Sequence, residues 1–90
     1  MANLYHFFIL RAPGVTPGAL EKVLNEAEDW FRYYDKCYVV ETTQSPRQWE
    51  KKLASLSRRL FICKFDETHY YGEMEKDFWE WYQAKAPLTD

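Results

Sequence analysis

Three glycines and four prolines in ninety residues are too few for a disordered or low-complexity chain. Two cysteines, Cys37 and Cys63, stand far apart with no CxxC pair and no histidine at ligand spacing, so neither a zinc finger nor a disulfide scaffold is indicated. They are expected to be reduced thiols buried in apolar strands. The start, MANLYHFFILRAPG, has no basic leader segment and its apolar run is too short to cross a bilayer, so the cytoplasm is the expected compartment. The net charge of −2 lacks the excess of one sign that marks a general polyanion binder.

What the chain has is apolar and aromatic surface, at 47% hydrophobic and 19% aromatic residues. A chain of this length buries roughly 60–65% of its unfolded surface, enough for one core, and residues 1–90 are read as a single domain. Charge is segregated along it. Residues 47–59 hold Arg47, Lys51, Lys52, Arg58 and Arg59 against Glu50, whereas residues 66–80 hold Asp66, Glu67, Glu73, Glu75, Asp77 and Glu80 against Lys76.

Period and punctuation then assign elements. LYHFFIL, residues 4–10, is a short β-forming run closed by APGVTPG, and is expected to be a strand buried on both faces. Thr16 before Pro17 is an N-cap with proline at the first helical position, and Leu20, Val23, Leu24 and Ala27 recur at helical spacing over about three turns. Trp30 and Phe31 continue that stripe, so periodicity alone would let the helix run through Tyr34. Composition favours a hairpin instead, because WFRYY and CYVVETT are dense in β-formers and flank the polar pair Asp35-Lys36, although that turn lacks the usual glycine.

Ser45, Pro46 and Gln48 form a capping box that opens a second helix, with Trp49, Leu53 and Leu56 inward and Arg47 and Lys51 outward. RLFICKF, residues 59–65, is a strand with Phe61, Cys63 and Phe65 on one face and Leu60 and Ile62 on the other. DETHYYG is a loop. EMEKDFWEWYQAK is a last helix with Met74, Phe78, Trp81 and Lys85 in line, ending at Ala86-Pro87. The order predicts an α+β fold, a ferredoxin-like βαββαβ domain with a four-stranded antiparallel sheet and an added C-terminal helix. Phe7, Ile9, Leu20, Leu24, Val39, Leu53, Phe61 and Phe78 are its expected core or core margin.

The hairpin WFRYYDKCYVVETT, the strand RLFICKF and the closing YYGEMEKDFWEWY resemble a group of small bacterial SinR-like proteins. That group is itself similar to the ferredoxin-like small subunit of the CRISPR adaptation machinery, an endoribonuclease-like fold. The resemblance spans most of residues 4–83. It implies the fold, often a homodimer, and a setting in bacterial or phage defence or counter-defence; it implies little chemistry. Nuclease-type relatives place an acidic residue just after the first strand, where paired copies hold a divalent metal, but FFILRAPG has Arg11 there. A guanidinium repels a hard cation, so no metal, cofactor or catalytic residue is assigned. Arg11 suits a phosphate or carboxylate, or local pairing at a surface.

Other constellations are thin. Asp66, Glu67 and His69 offer metal-ligand atoms without a second ligand cluster, and His6 lies within an apolar strand. Two binding readings remain. The first is a non-catalytic interaction module, a homodimer that binds a protein partner, with Trp30, Tyr34, Tyr38 and Trp79 as interface residues. Trp79 lies about 140° from Met74 on the helical wheel and is expected to be exposed in a monomer. The alternative is a nucleic-acid-binding protein or vestigial nuclease using Arg11, Arg47, Lys51, Lys52, Arg58 and Arg59. Net acidity and the missing carboxylate favour the first.

Overall fold

A computed structural model describes residues 2–64 and 74–85. Its elements are β1 (Asn3–Arg11), α1 (Pro17–Leu24), β2 (Asp29–Tyr34), β3 (Cys37–Thr42), α2 (Pro46–Leu53), β4 (Ser57–Lys64) and α3 (Lys76–Lys85). The strands form one open sheet in the order β2-β3-β1-β4, every neighbouring pair antiparallel. β1 and β2 therefore run parallel with β3 between them, as β3 and β4 do around β1, and α1 and α2 make the two crossovers. The fold is α+β, with three helices on a four-stranded antiparallel sheet.

Local chemistry sets most boundaries. The Thr16 hydroxyl accepts from the Ala19 amide at 3.1 Å, and at α2 the Ser45 and Gln48 side chains each accept from the other's backbone amide, at 3.2 and 2.7 Å. α1 is shorter than its hydrophobic stripe predicts, stopping at Leu24. Asn25 caps it and its side-chain oxygen accepts the Trp30 indole N–H at 2.9 Å, while the Glu28 amide donates to the Glu41 carbonyl at 2.9 Å. Capture by the sheet ends the helix before its apolar period does. The hairpin forms at Asp35-Lys36, with Lys36 at φ 66° in the left-handed region that glycine usually fills. That conformation costs about 1–2 kcal/mol for a residue with a Cβ. It is held by the Lys36 carbonyl, which accepts from the Ile9 amide at 2.8 Å, and by a register shift between Arg32 and Tyr34 that strengthens the twist.

One face of the sheet is sealed. Tyr5, Phe7, Ile9, Tyr38 and Val40 meet Leu20 and Leu24 of α1 and Trp49 and Leu53 of α2. Trp49 is wholly buried, edge-on to Phe7 at 5.5 Å, and its indole N–H donates to the buried Thr42 hydroxyl at 3.0 Å.

Among the described residues the opposite face is covered by α3, over β2, β3 and the Leu4 end of β1. Leu4, Val39 and Tyr82 form its core, and Phe78 sits 5.3 Å from Tyr33 and 6.2 Å from Phe31. Lys85 clamps the end of the helix, 3.1 Å from both Asp29 and Glu41, and the Trp81 indole donates to Asp29 at 3.1 Å. Asp29 is pushed up by burial, but its contacts with Lys85 and then Trp30 and Trp81 outweigh that and hold its carboxyl below the ordinary value.

Several expectations change on this face. Phe61 is 61% exposed and not core, because α3 does not reach β4. For the same reason Phe8 and Leu10 of β1 are only half-buried, so the strand is closed on one face and partly open on the other. Cys37 is half-buried and Cys63 exposed, where both thiols were expected inside. Tyr82, absent from the expected inner line, is the buried residue of α3; Met74 precedes the helix and is exposed. Trp79 is half-buried against this second core, not exposed. Phe65, the DETHYYG loop with Asp66, Glu67 and His69, and Ala86-Pro87 lie outside the described residues. No described helix is long and apolar enough to cross a membrane.

Candidate functional site

The part of the sheet that α3 leaves open is built from three cross-strand pairs, His6 with Cys63, Phe8 with Phe61 and Leu10 with Arg59. Paired residues project on one face, so Phe8, Leu10, Phe61 and Cys63 form an apolar strip with Arg59 at its end. Cys37 of β3 joins it opposite Phe8. α3 walls one side. Trp81 leans toward β2, with its ring 5.8 Å from Phe31, and Trp79 lies about 160° around the helix from it. That turns Trp79 away from Phe31, and it packs on the Leu4, Val39 and Tyr82 cluster.

A polar contact marks the border between covered and open halves. The Tyr33 hydroxyl lies 2.6 Å from His6 Nε2. Burial lowers the His6 pKa from its ordinary 6.5, which favours the neutral ring, and the imidazole tautomer sets which of the two groups donates. Tyr33 is pushed up to about 12, by burial first and then by the neighbouring Cys37 and Cys63 thiols. A phenol held that firmly protonated positions the imidazole and does not pass a proton at neutral pH. Among the described residues no three His, Cys, Asp or Glu side chains gather as a metal site.

The residues singled out from sequence do not assemble into one surface. Trp30 is half-buried on the face covered by α1 and α2, its ring 5.9 Å from the buried Tyr38. Trp79 belongs to the other face. Tyr34, at the end of the hairpin, is 73% exposed. Phe8, Leu10 and Phe61 were missed as a surface. The alternation in RLFICKF already puts Phe61 and Cys63 on one side, yet nothing local says how far α3 extends over it.

The basic residues are likewise divided. Arg47 and Lys51 are exposed on α2, but Lys52 pairs with Glu26 at 2.6 Å and lies over the Trp49 ring at 5.3 Å. Arg58 and Arg59 are exposed and alternate across β4, with the Arg59 guanidinium donating to the Arg58 carbonyl at 3.0 Å. Arg11 stands apart, at a cavity beside the hairpin, and donates to the Val15 carbonyl at 2.7 Å. No protein-family model matches the chain, and no curated protein or solved structure does either.

Proposed function

We propose that this protein is a ferredoxin-like interaction module that works as a homodimer, joined through the open strip beside α3. The order β2-β3-β1-β4 with two helical crossovers supports the ferredoxin-like reading, and α3 is the added helix. The observation that carries the dimer is Phe61, a large ring 61% exposed beside the half-covered Phe8 and Leu10. Contiguous apolar surface of this kind on a small domain marks a contact site.

Shape and charge favour a second copy as the occupant. Among the described residues, a face with a helix on one half and none on the other is a step about 10 Å high. Two such steps related by a two-fold axis are self-complementary, each bare half receiving the other copy's helix. α3 carries the exposed Asp77 and Glu80, the latter 3.6 Å from Lys76, and the strip ends in Arg59, so the two surfaces that would meet carry opposite charges. Docking by the face also agrees with the edge of β4, where Arg58, Arg59 and Lys64 discourage strand-to-strand addition. The SinR-like resemblance, which brings homodimers with it, points the same way.

Light scattering across a concentration series tests the reading. Wild type is expected to show a dimer mass, Phe61→Asp a monomer mass with an unchanged thermal melt, and Tyr34→Ala a dimer. A wild-type monomer mass at every accessible concentration overturns it.

A further inference from the structure

At the hairpin end of the sheet, the end of β1, the turn after it and the Asp35-Lys36 turn enclose a cavity of about 310 Å³. We infer that this cavity binds the phosphate monoester group of a small organic molecule. This goes beyond association through the open strip and uses none of its residues except Leu10, which lines both.

Charge is the first reason. Arg11, Arg32 and Lys36 line the cavity with one carboxylate, Asp35. Asp35 is held by Lys36 at 2.7 Å, so the lining carries two more positive than negative charges, with Glu21 a further carboxylate that acts on Tyr38. Arg11 is steadied by one bond, to the Val15 carbonyl, and keeps its other donors; the Arg32 side chain makes no hydrogen bond or ion pair among the described residues. Both line the one cavity. Both lower the Asp35 carboxyl in addition to the larger effect of Lys36, and both act to lower the Tyr38 phenol, against burial and the Glu21 and Asp35 carboxylates, which raise it. Two guanidiniums around one mouth match a dianionic phosphate better than a single carboxylate.

Rigidity and shape are the second. The Ala12 amide donates to the Leu56 carbonyl at 2.9 Å, the Val15 amide to the Ala12 carbonyl at 3.1 Å, and Ile9 holds the Lys36 carbonyl, so both turns are tied to the scaffold. Gly14, at φ 85°, permits the tight return of the chain, and a side chain there would be strained. Ile9, Pro13, Val15 and Pro17 supply an apolar wall for a carbon skeleton, and Tyr38 a phenol. The volume is near the lower end of ligand pockets, roughly 300–1,000 Å³, which suits one phosphate on a sugar-sized body and not a polymer.

The test is a titration of the ¹⁵N-labelled full chain with inorganic phosphate and with ribose 5-phosphate, at constant ionic strength, read by amide shifts. Saturable shifts confined to residues 9–15 and 32–38 are expected, with ribose 5-phosphate tighter than phosphate alone. Arg32→Gln and Arg11→Gln should each weaken binding about tenfold, the loss of a charge-assisted contact. Arg47→Gln, on α2, should leave it unchanged. Binding should also weaken from pH 7 to 5, as the ligand takes up its second proton near pH 6. Shifts that do not saturate, that follow ionic strength alone, or that Arg47→Gln weakens as much as Arg32→Gln overturn the proposal.

Discussion

The two faces of the sheet are made by the same strands, yet one is sealed and the other half open, and helix count explains the difference. A helix is about 10 Å across and strands are about 4.8 Å apart, so one helix shields about two strands. α1 and α2 lie within crossovers that begin and end in the sheet, which forces a pair of helices onto one face of four strands. Among the described residues α3 has no companion on this face. It covers β2, β3 and the Leu4 end of β1, and no described helix lies over Phe8, Leu10 and Phe61. An aromatic side chain on an alternating strand is thus core or contact surface according to how many helices its face receives.

Mutation can break this contrast. Trp49→Ala on the sealed face should cost about 3–5 kcal/mol in urea unfolding, since the site is enclosed by Phe7 and two helices and cannot collapse. Phe61→Ala, measured at concentrations where the chain is monomeric, should change stability by no more than about 0.5 kcal/mol. A comparable loss at both positions would mean that the open strip is covered after all.

α3 should give an intermediate value, because its face is only half enclosed. Tyr82→Ala is expected to cost about 2–4 kcal/mol, with amide exchange rising first along residues 76–85. Equal exchange throughout the chain would show that the half-covered face is as cooperative as the sealed one.

The clamp at the end of α3 is smaller. Lys85→Met should cost about 0.5–1 kcal/mol at pH 7, its carboxylate partners being part-exposed. The folded Asp29 pKa lies below its ordinary 3.8, so the stability it adds is present above that value and is lost as pH falls through the folded one. The difference between wild type and Lys85→Met should therefore close in acid below about pH 4, and urea midpoints across pH would reveal a difference that persists.

His6 provides the least effect and the finest probe of the border between the two halves. Its folded pKa lies below 6.5, so the contribution of the neutral ring is whole above 6.5 and falls away as pH drops through the folded value. Wild type should lose stability between pH 7 and 5 relative to His6→Gln, and an imidazole resonance titrating at 6.5 or above would contradict this.

Features carried by neighbours in the chain were legible from residues alone. Thr16-Pro17 and the Ser45-Pro46-Gln48 box start helices because capping is satisfied within three residues, and the structure has them there. The hairpin was legible from β-forming density on both sides of Asp35-Lys36 despite the missing glycine; the tie from Ile9 that holds Lys36 was not, since it comes from another strand. The length of α1 was overread because Ala27 continues the stripe while Glu28 is claimed by Glu41.

By itself the sequence determined the order of elements, their caps and the alternation that puts Leu60 and Ile62 opposite Phe61 and Cys63, all of which depend on contacts a few residues long. Only the tertiary structure decided which alternating side chains are covered, because that depends on where α3 lies across the strands. It likewise decided that Arg11, Arg32, Lys36 and Tyr38 share one cavity. The physical reason is the same in both cases: burial and electrostatic convergence depend on distance in space, and strand pairing brings together residues that no local pattern connects.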